Sequence, residues 1–250
     1  MKGEERLWII LNDKLDTLRA TNQLPEAIRV AEIALEIAKR AFKGNETPLA
    51  TSFEKLGQLL EQKGDYTAAQ ANLLKAHTIL EKGKSPDQRA IYRSARRLAS
   101  LCDGLGRSEE AINFYQKAIA AGTQIDDVPY SDIGTMLNNI ALILRKSGRQ
   151  KAAEPCYVRA LEIYEKQLGH DHPDVASVLN NLAVVYHSRG DYAKAAELYQ
   201  SSLKTWEQVP ETPSKDYDIV VSNYADLLRS IGQVRKAHQL EVRARKKRSG

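Results

Sequence analysis

The sequence predicts an all-α protein, a solenoid of six antiparallel helix pairs. Three observations predict this class. Alanine and leucine are abundant, while only eight prolines and fourteen glycines occur in 250 residues, and this composition favours helices. Apolar residues recur at spacings of three and four, which is the helical period. Two segments 42 residues apart also share one pattern: LNNIALILRKSGRQKAAEPCY from Leu137 and LNNLAVVYHSRGDYAKAAELY from Leu179.

The shared pattern recurs through the whole chain. We take Gly190 as an anchor and step by 42 residues in both directions. Each step meets a glycine, except the last step toward the N-terminus, which meets an asparagine, a residue that also tolerates positive φ. Small side chains follow each anchor by five and twelve residues. The pattern predicts one solenoid over residues 1–244 and a basic tail over 245–250. The six anchors are Asn22, Gly64, Gly106, Gly148, Gly190 and Gly232.

Each repeat contains two amphipathic stretches, before and after its anchor. In the fifth repeat the first stretch has its apolar residues at Val178, Leu182 and Val185, and the second at Ala195 and Tyr199. The anchor and the polar residue after it predict a tight turn between antiparallel helices. Small side chains at fixed offsets allow the two helix axes to approach closely, and the larger side chains then fill the space between neighbouring repeats.

The linker LGHDHPDVA joins the fourth repeat to the fifth. Gly169 suits the end of the preceding helix, either Asp171 or His172 can cap the next one, and Pro173 fits its first turn. The closeness of His170 to His172 superficially suggests a metal site, but capping is the simpler interpretation, and we expect neither a metal nor a cofactor.

The pattern of a small residue, a glycine turn, an alanine, an aromatic residue and another alanine resembles the tetratricopeptide repeat. With 42-residue units that contain HPDVA and LNNLA, the chain is similar to the kinesin-light-chain subclass. The eight residues beyond the usual 34 are expected to lengthen the second helix by about 12 Å. The end repeats depart from the pattern: Leu15 replaces a small residue, and Glu241 stands where other repeats have tyrosine.

The resemblance implies a right-handed superhelical solenoid, in which the first helix of each repeat lines a concave groove that holds a peptide or a partner's segment. Asparagine side chains can pair with both groups of a peptide backbone, so a row of them is expected to hold an extended chain. Packing between helices is the alternative for Asn139, Asn181 and Asn223. The expected groove residues are Asn138, Asn139, Asn180, Asn181, Asn223, Arg145, His187 and Arg229.

The third repeat contains an arginine cluster in its segment YRSARR. Arg93, Arg96 and Arg97 share one helical face and are expected to contact acidic groups of a partner. Internal pairing with Glu54, Glu61 or Asp103 is the alternative. The lysine–asparagine clamp of some tetratricopeptide cochaperones is incomplete here, because no repeat has the asparagine six residues before its anchor.

Composition narrows the function further. The two cysteines, Cys102 and Cys156, are too few for a disulfide framework and are expected to be structural thiols in a reducing, cytoplasmic compartment. No apolar run is long enough to span a membrane. The net charge of +5 lies partly in the tail, so binding to nucleic acid is not expected, although a contact of the tail with RNA, a membrane surface or a partner stays open.

No catalytic motif is visible, and we therefore expect an interaction scaffold, not an enzyme. Its partner is expected to be a protein or peptide with acidic residues. The alternative function is a regulatory sensor, in which the array binds a small peptide or nucleic acid and changes its curvature.

Overall fold

The computed structural model describes residues 3–42, 44–83, 86–209 and 215–249 of the chain. The regular structure in these ranges is α-helical throughout. The helices are α1 (Gly3–Ala20), α2 (Leu24–Ala41), α3 (Thr47–Lys63), α4 (Tyr66–Lys82), α5 (Gln88–Gly104), α6 (Ser108–Gly122), α7 (Tyr130–Lys146), α8 (Gln150–Leu168), α9 (Pro173–Ser188), α10 (Tyr192–Gln208), α11 (Lys215–Ser230) and α12 (Val234–Ser249).

The chain divides into two compact units, residues 1–127 and residues 128–250. In the first unit, α1 to α6 form three consecutive hairpins, and each helix packs against the next. In the second unit, α7 to α12 do the same, and α9 also contacts α7 and α11, the first helices of its neighbours. The predicted all-α class of helix pairs is confirmed. A single solenoid over residues 1–244 stays a prediction.

The anchors are the turns within the hairpins. Their five glycines have φ between 71° and 87°, and Asn22 has φ 56°. In this left-handed region a side chain costs free energy, and glycine and asparagine tolerate it best. Asn22 is the single described residue other than glycine with positive φ. Each residue predicted as an anchor thus has the positive φ that a tight turn of this kind requires.

The small residues five and twelve positions after each anchor lie in the hairpin cores. Ala153 and Ala195 are fully inaccessible to solvent, and so is Ser202, whose hydroxyl donates to the carbonyl of Ala176 over 2.6 Å. At Gly57, seven residues before its anchor, an added Cβ would lie 2.7 Å from Cγ of Leu73. Close helix approach thus requires a small residue at these positions.

The lengths of the helices correct one expectation. The eight additional residues were expected to lengthen the second helix, but the two helices of a pair are of similar length: α3 and α4 have 17 residues each, and α9 and α10 have 16 and 17. The second helix therefore does not exceed the first by the expected two turns, even in the pair of α7 and α8, with 17 and 19 residues.

The linker between α8 and α9 forms as predicted. Gly169 ends α8 with φ 84°, and Nδ1 of His172 accepts a hydrogen bond from the backbone N–H of Asp174 over 3.2 Å. His172, one of the two candidates for the cap, is thus the N-cap of α9. His170 lies 3.2 Å from a carboxylate oxygen of Glu165. Among the described residues, no group of histidine, cysteine or acidic side chains is suited to hold a metal ion.

The basic tail continues α12 as far as Ser249, and Gly250 lies outside the described residues. Ala237 and Ala244 fix the inner side of this helix in the core. Arg243 lies 3.0 Å from Glu207 of α10, and the ammonium group of Lys247 lies 5.5 Å from the ring centre of Tyr217. Within the tail of residues 245–250, Lys247 therefore contacts α11.

Candidate functional site

The first helix of each repeat presents side chains ten, nine, six and three residues before the anchor. We call this surface the first-helix face of each unit. All of its residues are exposed or half-buried except Asn12 and Asn180, which are buried. In the first unit it comprises Asn12, Asp13, Asp16, Arg19, Glu54, Lys55, Gln58, Glu61, Arg96, Arg97, Ser100 and Asp103; in the second, Asn138, Asn139, Leu142, Arg145, Asn180, Asn181, Val184, His187, Ser222, Asn223, Asp226 and Arg229.

In the second unit, asparagines link neighbouring first helices. Nδ2 of Asn223 on α11 donates to Oδ1 of Asn180 on α9 over 3.0 Å, and Nδ2 of Asn181 on α9 donates to Oδ1 of Asn138 on α7 over a longer 3.4 Å. Both donors stand nine residues before their anchors, and both acceptors stand ten before theirs. The packing role that the sequence left open is thus present for Asn181 and Asn223. Asn139 is half-buried on α7.

In the first unit, charged residues make the same links. Nζ of Lys55 on α3 lies 3.1 Å from Oδ1 of Asp16 on α1, and Nη1 of Arg97 on α5 lies 2.9 Å from Oε2 of Glu61 on α3. Lys55 and Arg97 again stand nine residues before their anchors. In both units, therefore, the residue at this position bonds to the previous first helix. We call these four bonds the rungs.

The rungs use only part of the hydrogen-bonding capacity of the amides. A primary amide offers two N–H donors and an oxygen with two lone pairs. The rung between α9 and α11 uses one N–H of Asn223 and one lone pair of Asn180. The oxygen of Asn223, on a half-buried side chain, stays available to another donor. We call Asn138, Asn139, Asn180, Asn181 and Asn223 the asparagine row. This row can therefore fix helix packing and still bind the backbone of a partner segment.

Arg145 was expected to face a partner in the groove, but it lies half-buried beside two tyrosines. Its Nε and the hydroxyls of Tyr157 and Tyr199 are buried without a hydrogen-bond partner among the described residues. Burial raises the pKa of both tyrosines, and the nearby guanidinium of Arg145 opposes that rise. The ring of Tyr199 stacks on Tyr224 at a centroid distance of 5.7 Å. The sequence pattern placed Tyr199 among the apolar residues of its helix and did not indicate this group of buried polar atoms.

The remaining groove residues of the second unit have partners within the unit. Arg229 lies 3.0 Å from Asp226 and 2.5 Å from Glu241, so two carboxylates offset its charge. The ring of His187 contacts that of Tyr192 edge-to-face at 5.8 Å. Arg229 is thus less suited to bind an acidic partner than its position in the sequence indicates.

The predicted arginine cluster lines a cavity in the first unit. This cavity, which we call the arginine cleft, has a volume of about 310 Å³. Arg97 pairs with Glu61, which is one of the internal partners considered from the sequence, and Nη1 of Arg96 is 3.4 Å from the hydroxyl of Tyr92. Glu54 instead accepts from Gln58 over 3.1 Å. The cleft is lined by Glu61, Tyr92, Arg93, Arg96, Arg97 and Ser100.

A second kind of polar contact joins one repeat to the next, away from the first-helix face. In the second unit, Glu154 on α8 accepts from the hydroxyl of Tyr186 over 2.5 Å and also pairs with Arg189. The hydrogen bond from Tyr186 and the charge of Arg189 lower the pKa of Glu154. Lys194 places its ammonium group 4.2 Å from the ring centre of Tyr186.

In the first unit, Gln70 on α4 occupies the position equivalent to Glu154. Its Nε2 contacts Sγ of Cys102 over 3.4 Å and Oε2 of Glu110 over 2.8 Å, and its Oε1 accepts from Arg107. Burial raises the pKa of both the Cys102 and the Cys156 thiols, and this supports the expected structural role of both cysteines. No sequence pattern marks these junctions, because their residue types differ between repeats.

A buried histidine joins α4, α5 and α6. His77 is 1% exposed; its Nδ1 lies 2.8 Å from the hydroxyl of Ser94, and its Nε2 lies 3.3 Å from Glu81 without hydrogen-bond geometry. Lys117 binds the same carboxylate over 2.8 Å, and the ring of Phe114 covers the imidazole edge-to-face at 5.6 Å. Burial lowers the pKa of His77; Glu81 opposes this effect and Lys117 adds to it.

These features define a class of proteins built from stacked helix hairpins with a polar first-helix face. The tetratricopeptide repeat model matches residues 10–82, 49–124 and 132–208. The chain therefore belongs to the tetratricopeptide repeat family. No curated protein matches the sequence significantly. Among the described residues, no helix combines the length and the apolar character needed to cross a membrane.

Solved structures of similar fold include kinesin-light-chain-like proteins. BtubC (BKLC) from P. vanneervenii is 26% identical with a TM-score of 0.68, over 90% of this chain and 91% of its own. A putative kinesin light chain from Podospora anserina, with nearly identical repeats, is 18% identical with a TM-score of 0.64, over 85% of this chain and 100% of its own. A tetratricopeptide repeat protein from Parabacteroides merdae is 16% identical with a TM-score of 0.64, over 96% and 79%. The resemblance found in the sequence is confirmed.

Proposed function

We propose that this chain is a non-enzymatic scaffold whose first-helix faces bind an extended segment of a partner protein. Tetratricopeptide repeats are generally protein–protein interaction scaffolds. The proposal adds the surface and the mode of binding. In the second unit, the asparagine row receives the backbone of the partner segment, while Leu142 and Val184 supply an apolar floor.

The observation that carries the proposal is the repetition of amides with unused capacity on adjacent first helices. Packed helices lie about 8–10 Å apart. An extended peptide advances about 3.3 Å per residue. Adjacent helices thus meet the peptide about every third residue, so one backbone can bond to Asn138 on α7 and to Asn223 on α11 without demanding a particular side chain. Because the rungs already fix these amides, little conformational entropy is lost on binding.

The test is selection from a displayed library of random linear peptides, followed by measurement of Kd for the selected peptides. We expect Asn138→Ala to weaken binding by about tenfold, because a backbone bond to a buried or half-buried amide is lost. The matched control is Asn113→Ala, because Asn113 is an exposed asparagine on α6, a second helix. If no peptide is enriched, or if both variants bind as the original chain does, the proposed surface is wrong.

The alternative taken from the sequence, a sensor that changes curvature when it binds a small peptide or nucleic acid, stays a prediction. A cytoplasmic location likewise stays a prediction.

A further inference from the structure

We propose that the arginine cleft of the first unit binds a phosphorylated side chain of the partner segment. This inference rests on the proposed function and deepens it, since it gives one binding surface a chemical preference. It concerns residues 1–127 alone, so it can be tested independently of the asparagine row.

The first step in the argument is geometric. Arg93, Arg96 and Arg97 lie at i, i+3 and i+4 on α5, so their guanidinium groups gather around one point of the surface. They line a single cavity of about 310 Å³, together with the hydroxyl-bearing residues Tyr92 and Ser100. Such an arrangement suits one compact anion better than a row of separate carboxylates.

The second step concerns charge. The lining contains three guanidinium groups and one carboxylate, Glu61, which pairs with Arg97 over 2.9 Å. Arg93 is exposed and has no ion pair within the described part of the chain. Like charges at i and i+4 repel each other along a helix. The lining residues therefore have a formal net charge of +2, and an anion bound between the guanidinium groups relieves their mutual repulsion.

The third step decides between a phosphate and a carboxylate. A phosphorylated serine carries a charge of about −1.5 to −2 at neutral pH and three strong acceptor oxygens. This charge matches the formal charge of the lining, and the oxygens diverge, so that separate donors among Arg93, Arg96 and Ser100, which line the cleft, can each bind one. A glutamate has one charge and two oxygens in a plane, which suit one arginine fork and leave the rest of the excess uncompensated.

The experiment measures the fluorescence anisotropy of a labelled alanine–glycine peptide with a central phosphoserine, at physiological ionic strength. The same peptide with serine or glutamate at the centre provides the comparison. We expect the phosphoserine peptide to bind at least about tenfold more tightly than either, because bonds between charged groups are the strong ones. Inorganic phosphate is expected to compete at high concentration only.

Variants locate the site. We expect R93Q to remove most of the preference for phosphoserine. R29Q, which changes an exposed arginine of α2 in the same unit, is expected to preserve it. Glu61→Gln releases Arg97 from its partner and is expected to tighten the binding of the phosphoserine peptide several-fold.

Three results would overturn the inference: no measurable binding of the phosphoserine peptide, equal affinity for the three peptides, or an equal loss in R93Q and R29Q. If peptides selected from the random library still bind and respond to Asn138→Ala, the proposed function survives that failure. If those peptides also fail while the phosphoserine preference holds, the arginine cleft stands and the asparagine row does not.

Discussion

Ala183 represents the residues that set the distance between the helices of a pair. It lies seven residues before its anchor and is fully inaccessible to solvent, as are Ala141 and Ala225 at the equivalent positions of the neighbouring repeats. Protein cores are packed as densely as organic crystals, so a larger side chain at such a position has no space to occupy.

Replacing Ala183 by leucine is expected to lower the free energy of unfolding by about 1–3 kcal/mol through overpacking. Urea denaturation followed by circular dichroism measures the change. Ala193→Leu is the control, because Ala193 is an exposed alanine in α10. Its effect is expected to stay within about 0.5 kcal/mol. An equal, small effect of both substitutions would contradict the assigned register.

His77 makes the stability of the first unit depend on pH. Burial lowers its pKa below the ordinary value of 6.5, so the folded chain keeps the imidazole neutral where the unfolded chain already binds a proton. The contribution of this residue to stability is therefore complete above about pH 6.5, and it is lost as the pH falls from 6.5 toward the pKa of the folded state. The charged groups around it are Glu81 and Lys117, which pair with each other.

We expect the free energy of unfolding to fall between about pH 7 and about pH 5.5, with a contribution from His77 of at most about 1.4 kcal/mol per pH unit. His77→Gln is expected to reduce that slope, whatever it does to stability at neutral pH. His238→Gln, in an exposed residue of α12, is expected to leave the slope unchanged. A slope that persists in His77→Gln would show that another group is responsible.

At the scale of the helices, the rungs explain how adjacent first helices hold their offset. The two units use different chemistry at the same position: ion pairs between α1, α3 and α5, and amide bonds between α7, α9 and α11. Ion pairs that are open to solvent contribute about 0–1 kcal/mol each, and salt screens them. The amide rungs join neutral groups, so salt does not screen them.

A double-mutant cycle of Asn180→Ala and Asn223→Ala measures the amide rung between α9 and α11. We expect a coupling energy of about 1 kcal/mol, typical of a hydrogen bond between neutral groups. The cycle of Lys55→Ala and Asp16→Ala is expected to give a smaller coupling that declines as salt is added. Purely additive effects at Asn180 and Asn223 would show that the bond does not stabilise the fold.

At the scale of the whole chain, the sequence predicted the features that depend on one residue type. Six anchors with positive φ and the small residues around them follow from the 42-residue period alone, because few residue types satisfy those backbone and packing requirements. The cap of α9 by His172 was likewise one of two sequence candidates. The length of the second helix was predicted wrongly, because a longer period does not say which helix receives the residues.

The site was less predictable for a physical reason. Whether Arg97 meets Glu61 or Glu54 depends on the offset between α3 and α5, and that offset is set by packing, not by any local pattern. The burial of Arg145 beside Tyr157 also arises only once the helices are stacked. Sequence therefore located the first-helix face but did not distinguish its internally paired side chains from those available to a partner.

The central claim is that the partner lies on the first helices. Replacing Ser222 of α11 by a photo-reactive benzoylphenylalanine tests it most directly, with Ser201 of α10 as the matched site, because both serines are exposed in the second unit and lie on first and second helices respectively. A library-selected peptide is expected to crosslink at position 222 and not at position 201. Crosslinking at position 201 alone, or equally at both, would contradict the claim.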